Sequence, residues 1–496
     1  MSASRDKKMR QNAPAASEAA TKAMTQQEKD RKKYKTKVVI ISVVLVIFVI
    51  ATLFLSSKAL YNKFTAVSFG DEKFTACDVV FYKNMVTSQY YNAYGEYASY
   101  YMPDDATITD SAMDLMQSTA ALHVAAEKDG FALSEEDQKV IDGYLSSAES
   151  ASVSNKFDSV DAFLAANYCK GMTAKVYRDV VTYYVYASTF GSNHYQALTY
   201  SDDELESYYA DHADTLDTFT YSLFNFSTED FSDPKADAEE FLDRLTKGES
   251  FGDLAYEYAT DDDKANYENR SSSTGTVSGS SVTAGTELGD FLLDASRVSG
   301  DAAVLAGEPD ENGEISVYSV AQFVSRGDNK YYTADFRHIL VKTEDVSVDD
   351  YSTKEEYQAA KEEAKSVAKE SAEMYYTLWK ENATEDNFIS MVSEYSDDTG
   401  STENGGLYEG VTLGHMVSGV EDWLFAEGRK AGDTDIVESS YGYHIMYYVG
   451  QSDVLHRAEL AENAVKNDDY NAWEEDLIGE DFPAATTAFL KLAAKD

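Results

Sequence analysis

A unit of strand, helix, loop and strand occurs twice in the second half of this 496-residue chain. The first copy begins with the strand-like stretch DTFTYSLFNFS at 217–227, and the second begins with ADFRHILVKTE at 334–344. Each copy passes through an amphipathic helix into a similar phrase, SFGDLAYEYATDD at 250–262 and NFISMVSEYSDDT at 387–399. A repeat of about 110–120 residues is too long for a solenoid unit, so it predicts a duplicated domain.

An uninterrupted apolar run occupies residues 38–55, with only Ser42 and Thr52 as mildly polar members. A helix of that length covers about 27 Å, close to the ~30 Å hydrocarbon core of a bilayer. The preceding stretch 29–37 is strongly basic, which favours a cytoplasmic position for it. The pattern predicts a transmembrane helix at 38–57 behind a disordered cytoplasmic tail, residues 1–37. An uncleaved anchor is favoured over a signal peptide, whose apolar core is usually shorter.

The formal charge of −46 is unevenly spread along the chain. Residues 1–37 carry 11 Lys/Arg and 4 Asp/Glu, and the remainder carries 31 basic against 84 acidic residues. Such a surface repels nucleic acid, so nucleic acid is not an expected partner. A preference for basic clients is one interpretation, and simple solubility is the favoured one.

Two cysteines, Cys77 and Cys169, are the only ones in the chain. They belong to no CxxC motif or Cys/His cluster, and the chain has no glycine-rich dinucleotide or phosphate loop. No metal or nucleotide cofactor is therefore predicted. The sequence leaves open whether the two cysteines form a disulfide.

The region after the apolar run predicts a small hairpin followed by helices. Two β-rich stretches surround Gly70-Asp71 within residues 64–78, and apolar residues recur at helical spacing over 110–129. Gly130 ends that helix and Ser134 opens the next. Further helices are predicted at 159–167, 173–188 and 202–213. The 37 tyrosines fit either core packing or an adaptable peptide-binding surface, and the sequence alone does not separate the two.

Four short motifs in the second copy carry a family resemblance. They are HIL at 338–340, YSDD at 395–398, GGL at 405–407 and YGYHI at 441–445. In order and spacing they resemble the signature of parvulin-type (PpiC, or rotamase) peptidyl-prolyl cis-trans isomerases. The arrangement of anchor, helical region and parvulin units is similar to that of PrsA/SurA-type membrane-anchored foldases.

The resemblance implies an α+β multidomain fold. The expected parts are a helical chaperone-like domain at 60–215, a degenerate parvulin-like domain at 216–328, a parvulin domain at 332–452 and a C-terminal helical extension at 453–496. In related foldases, C-terminal residues pack back onto the helical domain, and the same is expected of this extension.

The resemblance also assigns site residues. His338 and His444 take the family's histidine roles, and Asp398 takes the role of its Cys or Asp; their expected work is a hydrogen-bond network, without covalent catalysis. The expected substrate-binding residues, which line or support a proline pocket, are Leu407, Met416, Val420, Phe425 and Ser439.

Three features depart from the family pattern. Val420 stands where the family usually has Phe, which predicts a shallower pocket, and the stretch from Leu407 to Met416 is one residue longer than usual. The stretch 343–345 is acidic where phosphate-specific parvulins are basic, so phosphopeptide specificity is not expected. The first copy has Tyr221 aligned with His338 and Ser319 aligned with His444, which predicts a retained fold without catalysis.

The predicted function is peptidyl-prolyl isomerisation that assists exported proteins at the outer face of the cytoplasmic membrane, in a Gram-positive-type bacterial envelope. The expected partners are unfolded or proline-containing exported polypeptides, with the membrane bound through the single N-terminal helix. Two alternatives stay open: a non-catalytic holdase that binds unfolded chains, and a structural scaffold.

Overall fold

The computed structural model describes residues 31–49, 52, 57–261, 263–347 and 350–494. Residues 31–49 form an exposed helix, α1. Within the described residues, no helix is both long and apolar enough to cross a membrane. The predicted transmembrane helix at 38–57 is therefore not supported there, and its residues 50–51 and 53–56 lie outside the described residues, as do residues 1–30 of the predicted tail.

The chain divides into two compact units, a helical unit of residues 1–198 with 469–496, and a two-sheet unit of residues 199–468. The elements of the helical unit are α2 Ala59–Asn62, β1 Thr65–Phe69, β2 Glu72–Thr75, α3 Ala76–Tyr94, α4 Ala98–Tyr101, α5 Asp105–Asp129, α6 Glu135–Ser154, α7 Val160–Asn167, α8 Ala174–Ala197 and β11 Ala484–Thr486. A last helix, α17 His456–Ile478, contains the boundary between the units.

The local signals read from the sequence of the helical unit are confirmed. Strands β1 and β2 pair antiparallel as the predicted hairpin. Helix α5 begins earlier than predicted because the Asp104 side chain accepts the Thr107 N–H and caps it. It ends at Gly130, whose φ of 72° is the left-handed conformation that glycine adopts without steric cost. Ser134 caps α6 in a reciprocal hydrogen-bond pair with Asp137.

The C-terminal segment packs into the core of the helical unit, as expected. Strand β11 adds to the hairpin through β1, with Val67 opposite Thr486. The buried ammonium of Lys83 lies 2.6 Å from Asp105 Oδ1 and donates to the carbonyl oxygen of Ala493. A buried cation needs such partners, so the C-terminal carbonyl helps to satisfy it. Cys77 and Cys169 form a disulfide, which settles the alternative that the sequence left open.

The two-sheet unit contains two lobes with the same order of elements. The first lobe, residues 218–327, consists of β3 Thr218–Ser227, α11 Pro234–Thr246, α12 Phe251–Tyr258, β4 Thr274–Ser278, α13 Glu287–Leu293, β5 Ala302–Ala306 and β6 Val317–Gly327. The second lobe, residues 332–455, consists of β7 Tyr332–Lys342, α14 Lys354–Lys380, α15 Glu385–Tyr395, β8 Leu407–Val411, α16 Ser418–Leu424, β9 Thr434–Ser439 and β10 Gly442–Leu455. Two short helices precede the lobes, α9 Asp202–Asp211 and α10 Ala213–Leu216.

Each lobe is built on a four-stranded antiparallel sheet with equivalent strand order, β4-β3-β6-β5 in the first and β8-β7-β10-β9 in the second. The chain is thus a mixed helix-and-sheet multidomain protein, as the sequence predicted. In the second lobe, Ile339 and Ile445 pack with Trp379 of α14 and Phe388 of α15 on one face of the sheet. Because side chains alternate between faces along a strand, the neighbouring histidines of β7 and β10 lie on the opposite face.

Candidate active site

The two predicted histidines meet on the central strands of the second lobe. His338 lies on β7 and His444 on β10, two residues apart along the register, since His338 pairs with Met446 and His444 with Leu340. Their Nδ1 atoms are 2.9 Å apart and their rings are stacked. Both side chains are buried, with 6% and 5% of their surface exposed, so each requires hydrogen-bond partners inside the protein.

Asp398 reaches the histidines from the segment that follows α15. Backbone bonds tie this segment to β7: Asp397 N–H donates to the carbonyl of Leu340, and Leu340 N–H donates to Ser396 Oγ. Asp398 Oδ2 then lies 2.8 Å from His338 Nε2. The structure therefore brings together the three residues that the sequence singled out as catalytic.

Two further donors converge on the same carboxylate oxygen, and the sequence reasoning missed both. Ser401 Oγ and Tyr408 Oη each donate to Asp398 Oδ2, the second over 2.9 Å. Burial opposes ionisation of Asp398, but the hydrogen bonds from Ser401, His338 and Tyr408 outweigh it and lower its pKa to about 2. A carboxylate followed three residues later by Ser is a common local hydrogen-bonding pattern and was the one available signal for Ser401.

The hydrogen bonds define a single direction of donation through the site. Because ionised Asp398 only accepts, His338 Nε2 carries a proton and its Nδ1 accepts from His444 Nδ1–H. His444 Nε2 is then an acceptor, and the Ser439 hydroxyl donates to it at 2.7 Å. Ser439 Oγ in turn accepts the N–H of Tyr441. The chain Ser439–His444–His338–Asp398 is consistent with two neutral imidazoles and one carboxylate.

The histidines are held in their neutral form. Burial lowers the pKa of His338, although Asp398 acts in the opposite direction. Burial, followed by repulsion from His338, lowers the pKa of His444 to about 4. At neutral pH the site thus holds one negative charge, surrounded by donors.

The predicted substrate-binding residues separate into three groups. Met416, Val420 and Phe425 lie in one apolar cluster with Phe336, Trp423 and Met446, on the same face of the sheet as the histidines. Ser439 belongs to the polar network. Leu407 pairs with Arg337 at the β7–β8 edge and lies outside that apolar cluster.

The GGL motif is required by the close approach of two backbones. Gly406 has a φ of 74°, and a Cβ there would lie 2.5 Å from the carbonyl oxygen of His338. The Gly406 carbonyl accepts the N–H of His338. A side chain at this position would push β8 and Tyr408 away from the network, so the glycine supports the site through the backbone.

The described residues of the first lobe, 218–261 and 263–327, form no such network, and the strand register there corrects one sequence alignment. Phe224 pairs with Val320 on the helix-covered face, as Ile339 pairs with Ile445 in the second lobe. Leu223 precedes Phe224 as His338 precedes Ile339, so Leu223 corresponds to His338. In the same way Ser319, which precedes Val320, corresponds to His444. The alignment of Tyr221 with His338 was wrong by two residues.

The remaining network positions of the first lobe are also different. Tyr408 lies opposite Phe336, and the residue in the corresponding place opposite Tyr221 is Gly275. Asp261 matches Asp398 in sequence, but its side chain is fully exposed. The first lobe therefore keeps the sheet and replaces the donors and acceptors of the site.

The second lobe matches a known family of isomerase domains. Residues 338–450 match the rotamase family, described as the PPIC-type PPIASE domain. This part of the chain is accordingly a PpiC-type peptidyl-prolyl isomerase domain.

The curated relatives of the chain are foldases. It is 27% identical over 117 residues to Foldase protein PrsA 1 of Listeria innocua, an alignment that covers 19% of this chain and 40% of that protein. It is 34% identical over 68 residues to Foldase protein PrsA 1 of Listeria monocytogenes, covering 14% of this chain and 23% of that protein. The chain thus spans two fifths or less of the length of these relatives.

Solved structures with a detectable likeness include foldase protein PrsA from Streptococcus pneumoniae, at 13% identity and a TM-score of 0.22, covering 57% of this chain and 80% of that one. Peptidylprolyl isomerase PrsA from Bacillus anthracis matches at 20% identity and a TM-score of 0.19, covering 31% and 60%. The assignment of the domain rests on the family match and on the site, and not on these two likenesses.

Proposed function

We propose that this protein is a peptidyl-prolyl cis-trans isomerase whose reaction takes place at His338, Asp398 and His444. The observation that carries the proposal is the unbroken hydrogen-bond chain from Ser439 to Asp398, beside an apolar cluster that contains Met416, Val420 and Phe425. A proline ring suits such a cluster because it is apolar and has no N–H to satisfy.

The chemistry requires differential stabilisation and no nucleophile. Rotation about the X–Pro bond destroys amide resonance and meets a barrier of about 18–20 kcal/mol. The planar amide places partial negative charge on its carbonyl oxygen, and the twisted amide places less. In this proposal the carbonyl lies on the Asp398 side of the pocket, where a fixed negative charge disfavours the planar form relative to the twisted one. The neutral histidines hold that charge in position.

The test is isomerisation of proline tetrapeptides by the full chain, with several residues placed before proline, compared with the His338→Ala variant. Rate enhancement that falls in the variant, with the fold intact by circular dichroism, is the expected result. No enhancement over buffer for any peptide would refute the proposed activity.

The proposed clients are exported polypeptides at the outer face of the cytoplasmic membrane. The Cys77–Cys169 disulfide supports an oxidising compartment, and the apolar run at 38–55 with its basic flank supports an anchor in that orientation. Fractionation of cells that express the full chain tests this location. We expect to recover the chain with the membranes, and we expect protease added outside intact cells to cut the two-sheet unit. Protection of that unit from the protease would contradict the proposed location.

A holdase activity is the second candidate, favoured by a groove in the helical unit. The groove encloses about 670 Å³ between α3, α6, α7 and α8, a volume in the range of ligand sites. None of its fourteen lining residues is charged, although the chain carries −46 overall, and they include Tyr91, Tyr144, Phe163 and Tyr177. Such a lining suits an apolar or aromatic polypeptide segment.

Binding of a proline-free unfolded chain separates this candidate from isomerisation. Tyr144→Glu places a charge in the groove, whereas Val153→Glu places the same charge on an exposed site of the same helix outside the lining. Weaker binding in the first variant alone is expected for a holdase. A full chain that ignores the unfolded polypeptide would leave the scaffold alternative.

A further inference from the structure

The loop between β8 and α16 carries one of the pocket residues. This pocket loop, residues 412–417, contains Met416. Most of it lies in the stretch from Leu407 to Met416, which the family resemblance suggests is one residue longer than usual. The carboxylate of Glu421 accepts the backbone N–H of Gly414 at 2.6 Å and of Met416 at 3.4 Å. These bonds fix the shape of the pocket loop from within the second lobe.

The first lobe contacts the pocket loop at its tip. Gly414 has a φ of 90°, and a Cβ placed on it would lie 2.9 Å from Cβ and 3.0 Å from Cγ2 of Thr276 on β4. Thr276 is itself fixed, because its hydroxyl is 2.8 Å from that of Thr220 on β3. The Thr276 side chain of the first lobe therefore packs directly against the backbone of the pocket loop.

The segment between the lobes holds the same loop from a second side. The Tyr331 hydroxyl accepts the backbone N–H of Leu413 at 3.2 Å. The Tyr331 ring also packs edge-on against Phe425, a residue of the apolar cluster, with ring centroids 5.7 Å apart. One tyrosine thus contacts both the pocket loop and the cluster below it.

Tyr331 is held in place by a buried asparagine two residues earlier. Asn329 is 2% exposed with a φ of 52°, and its amide donates to the carbonyl of Leu216 at 2.8 Å and to the Tyr209 hydroxyl at 3.2 Å. Its carbonyl accepts the N–H of Arg457. A non-glycine residue in this conformation persists only where its surroundings determine it, so the base of Tyr331 is rigid.

We propose that Thr276 and Tyr331 are positioning residues for the pocket loop, so that the first lobe and the segment that joins it to the second lobe set the substrate-binding geometry of the second lobe. This inference rests on the proposed isomerase function. It gives the first lobe a role within the reaction that requires no chemistry of its own.

Two pairs of matched variants test the proposal in the full chain. Tyr331→Phe removes only the hydroxyl bonded to Leu413, and Tyr332→Phe is its control on the neighbouring exposed tyrosine. Thr276→Trp crowds Gly414, and Thr274→Trp is its control on the same strand, because Thr274 also bonds a β3 hydroxyl while the atoms nearest to Gly414 belong to Thr276. The readouts are KM and kcat for a proline tetrapeptide and hydrogen exchange of the backbone amides of residues 412–416.

Tyr331→Phe is expected to raise KM about three- to tenfold, the range for loss of one hydrogen bond, with kcat retained because the network is untouched. Thr276→Trp is expected to raise KM at least as much. Amide exchange in the pocket loop should accelerate in both variants and in neither control. Unchanged KM and exchange in both variants would overturn the proposal.

The two proposals fail in distinguishable ways. A wild-type chain without isomerase activity refutes the proposed function, and the exchange measurement then decides alone whether Thr276 and Tyr331 hold the loop. An active wild-type chain whose Tyr331→Phe and Thr276→Trp variants match their controls refutes only the positioning role.

Discussion

The two lobes of the two-sheet unit have the same strand order and differ on one face of the sheet. On the helix-covered face both are apolar, with Phe224 and Val320 in the first lobe and Ile339 and Ile445 in the second. On the other face, the first lobe has Leu223 and Ser319 where the second has its two histidines. The helix-covered face is thus the part of the core that the two lobes share, and the other face is the one on which they differ in chemistry.

The second lobe can bury polar groups on that face only because the network is complete. Two buried imidazoles and a carboxylate would be destabilising if any donor or acceptor were left without a partner. The first lobe avoids this requirement with an apolar cluster of Phe219, Phe291, Ala321 and Phe323. The hydrogen-bond network of the second lobe therefore requires a matched set of side chains. Removal of a single member leaves a buried polar group unpaired and destabilises the folded lobe.

The largest effect is expected where a network histidine is removed. His444→Ala leaves the buried Nδ1 of His338 without its donor and the Ser439 hydroxyl without its acceptor. The loss of such buried bonds costs about 1.5–3 kcal/mol, so kcat/KM should fall at least about tenfold. Ser319→Ala, the equivalent change in the first lobe, should leave kcat/KM unchanged. Equal effects of the two substitutions in a tetrapeptide assay would show that the two lobes do not differ in their contribution to catalysis.

Asp398→Asn tests whether charge matters as well as shape. The amide keeps the size of the carboxylate but removes the negative charge that three donors surround, so kcat/KM is expected to fall by about tenfold. Asp261→Asn at the exposed counterpart is the control, with no expected change. Full activity of Asp398→Asn would show that the charge has no part in the reaction.

The histidines should also give the second lobe a pH-dependent stability that the first lobe lacks. The folded-state pKa of His444 is lowered from 6.5 to about 4, so the unfolded chain takes up the proton first as the pH falls. The contribution of neutral His444 to the free energy of unfolding is therefore fully present above about pH 6.5. About 2–3 kcal/mol of it is lost as the pH falls towards 4. Asp398 contributes little in this window, because its carboxyl in the unfolded chain, with an ordinary pKa of 3.8, begins to take up a proton only near pH 4.

The measurement is denaturant unfolding of the full chain between pH 4 and 7. The control is a lobe-swap variant, His338→Leu with His444→Ser, which carries the residues of the first lobe at the two network positions. The other titrating groups are present in both proteins, but Asp398 loses its bond to His338 in the variant and affects the slope near pH 4. The difference between the two slopes from pH 5 to 7 therefore reports the histidines. Parallel slopes would mean that the histidines are not held neutral in the folded protein.

The smallest effect is expected from Tyr408→Phe. Asp398 loses one of its three side-chain donors and keeps the other two, so kcat/KM should fall by about two- to tenfold. Tyr443→Phe is a matched control, because its hydroxyl bonds Glu438 outside the network. Loss of activity as large as that of Asp398→Asn would show that Tyr408 has a role beyond holding the carboxylate.

Much of this architecture could be predicted from the sequence. Cap residues and apolar spacing indicated the helices of the helical unit, and the repeat indicated two related sheets. The family resemblance carried by the HIL, YSDD and YGYHI motifs identified three residues that hydrogen bonds now connect. These predictions succeeded because they rest on local signals or on long motifs with a fixed order.

The register of the first lobe was not predictable in the same way. Strand side chains alternate with a period of two, so an alignment shifted by two residues keeps every side chain on the same face. Tyr221 and Leu223 are therefore equally compatible with the apolar pattern, and only the pairing of β3 with β6 decides between them. The contributions of Tyr408 and Tyr331 were missed because each depends on a contact made by folding. Tyr408 reaches Asp398 across the turn that leads into β8, and Tyr331 reaches Leu413, which is 82 residues later in the chain.

The measurement that tests the central claim most directly is tetrapeptide isomerisation by the wild-type chain and by the lobe-swap variant, with folding of both verified by circular dichroism. If the network of the second lobe is the catalytic centre, the wild-type chain accelerates isomerisation and the folded lobe-swap variant does not exceed the buffer rate. A folded lobe-swap variant that isomerises proline peptides as fast as the wild-type chain would show that the network is not the catalytic centre.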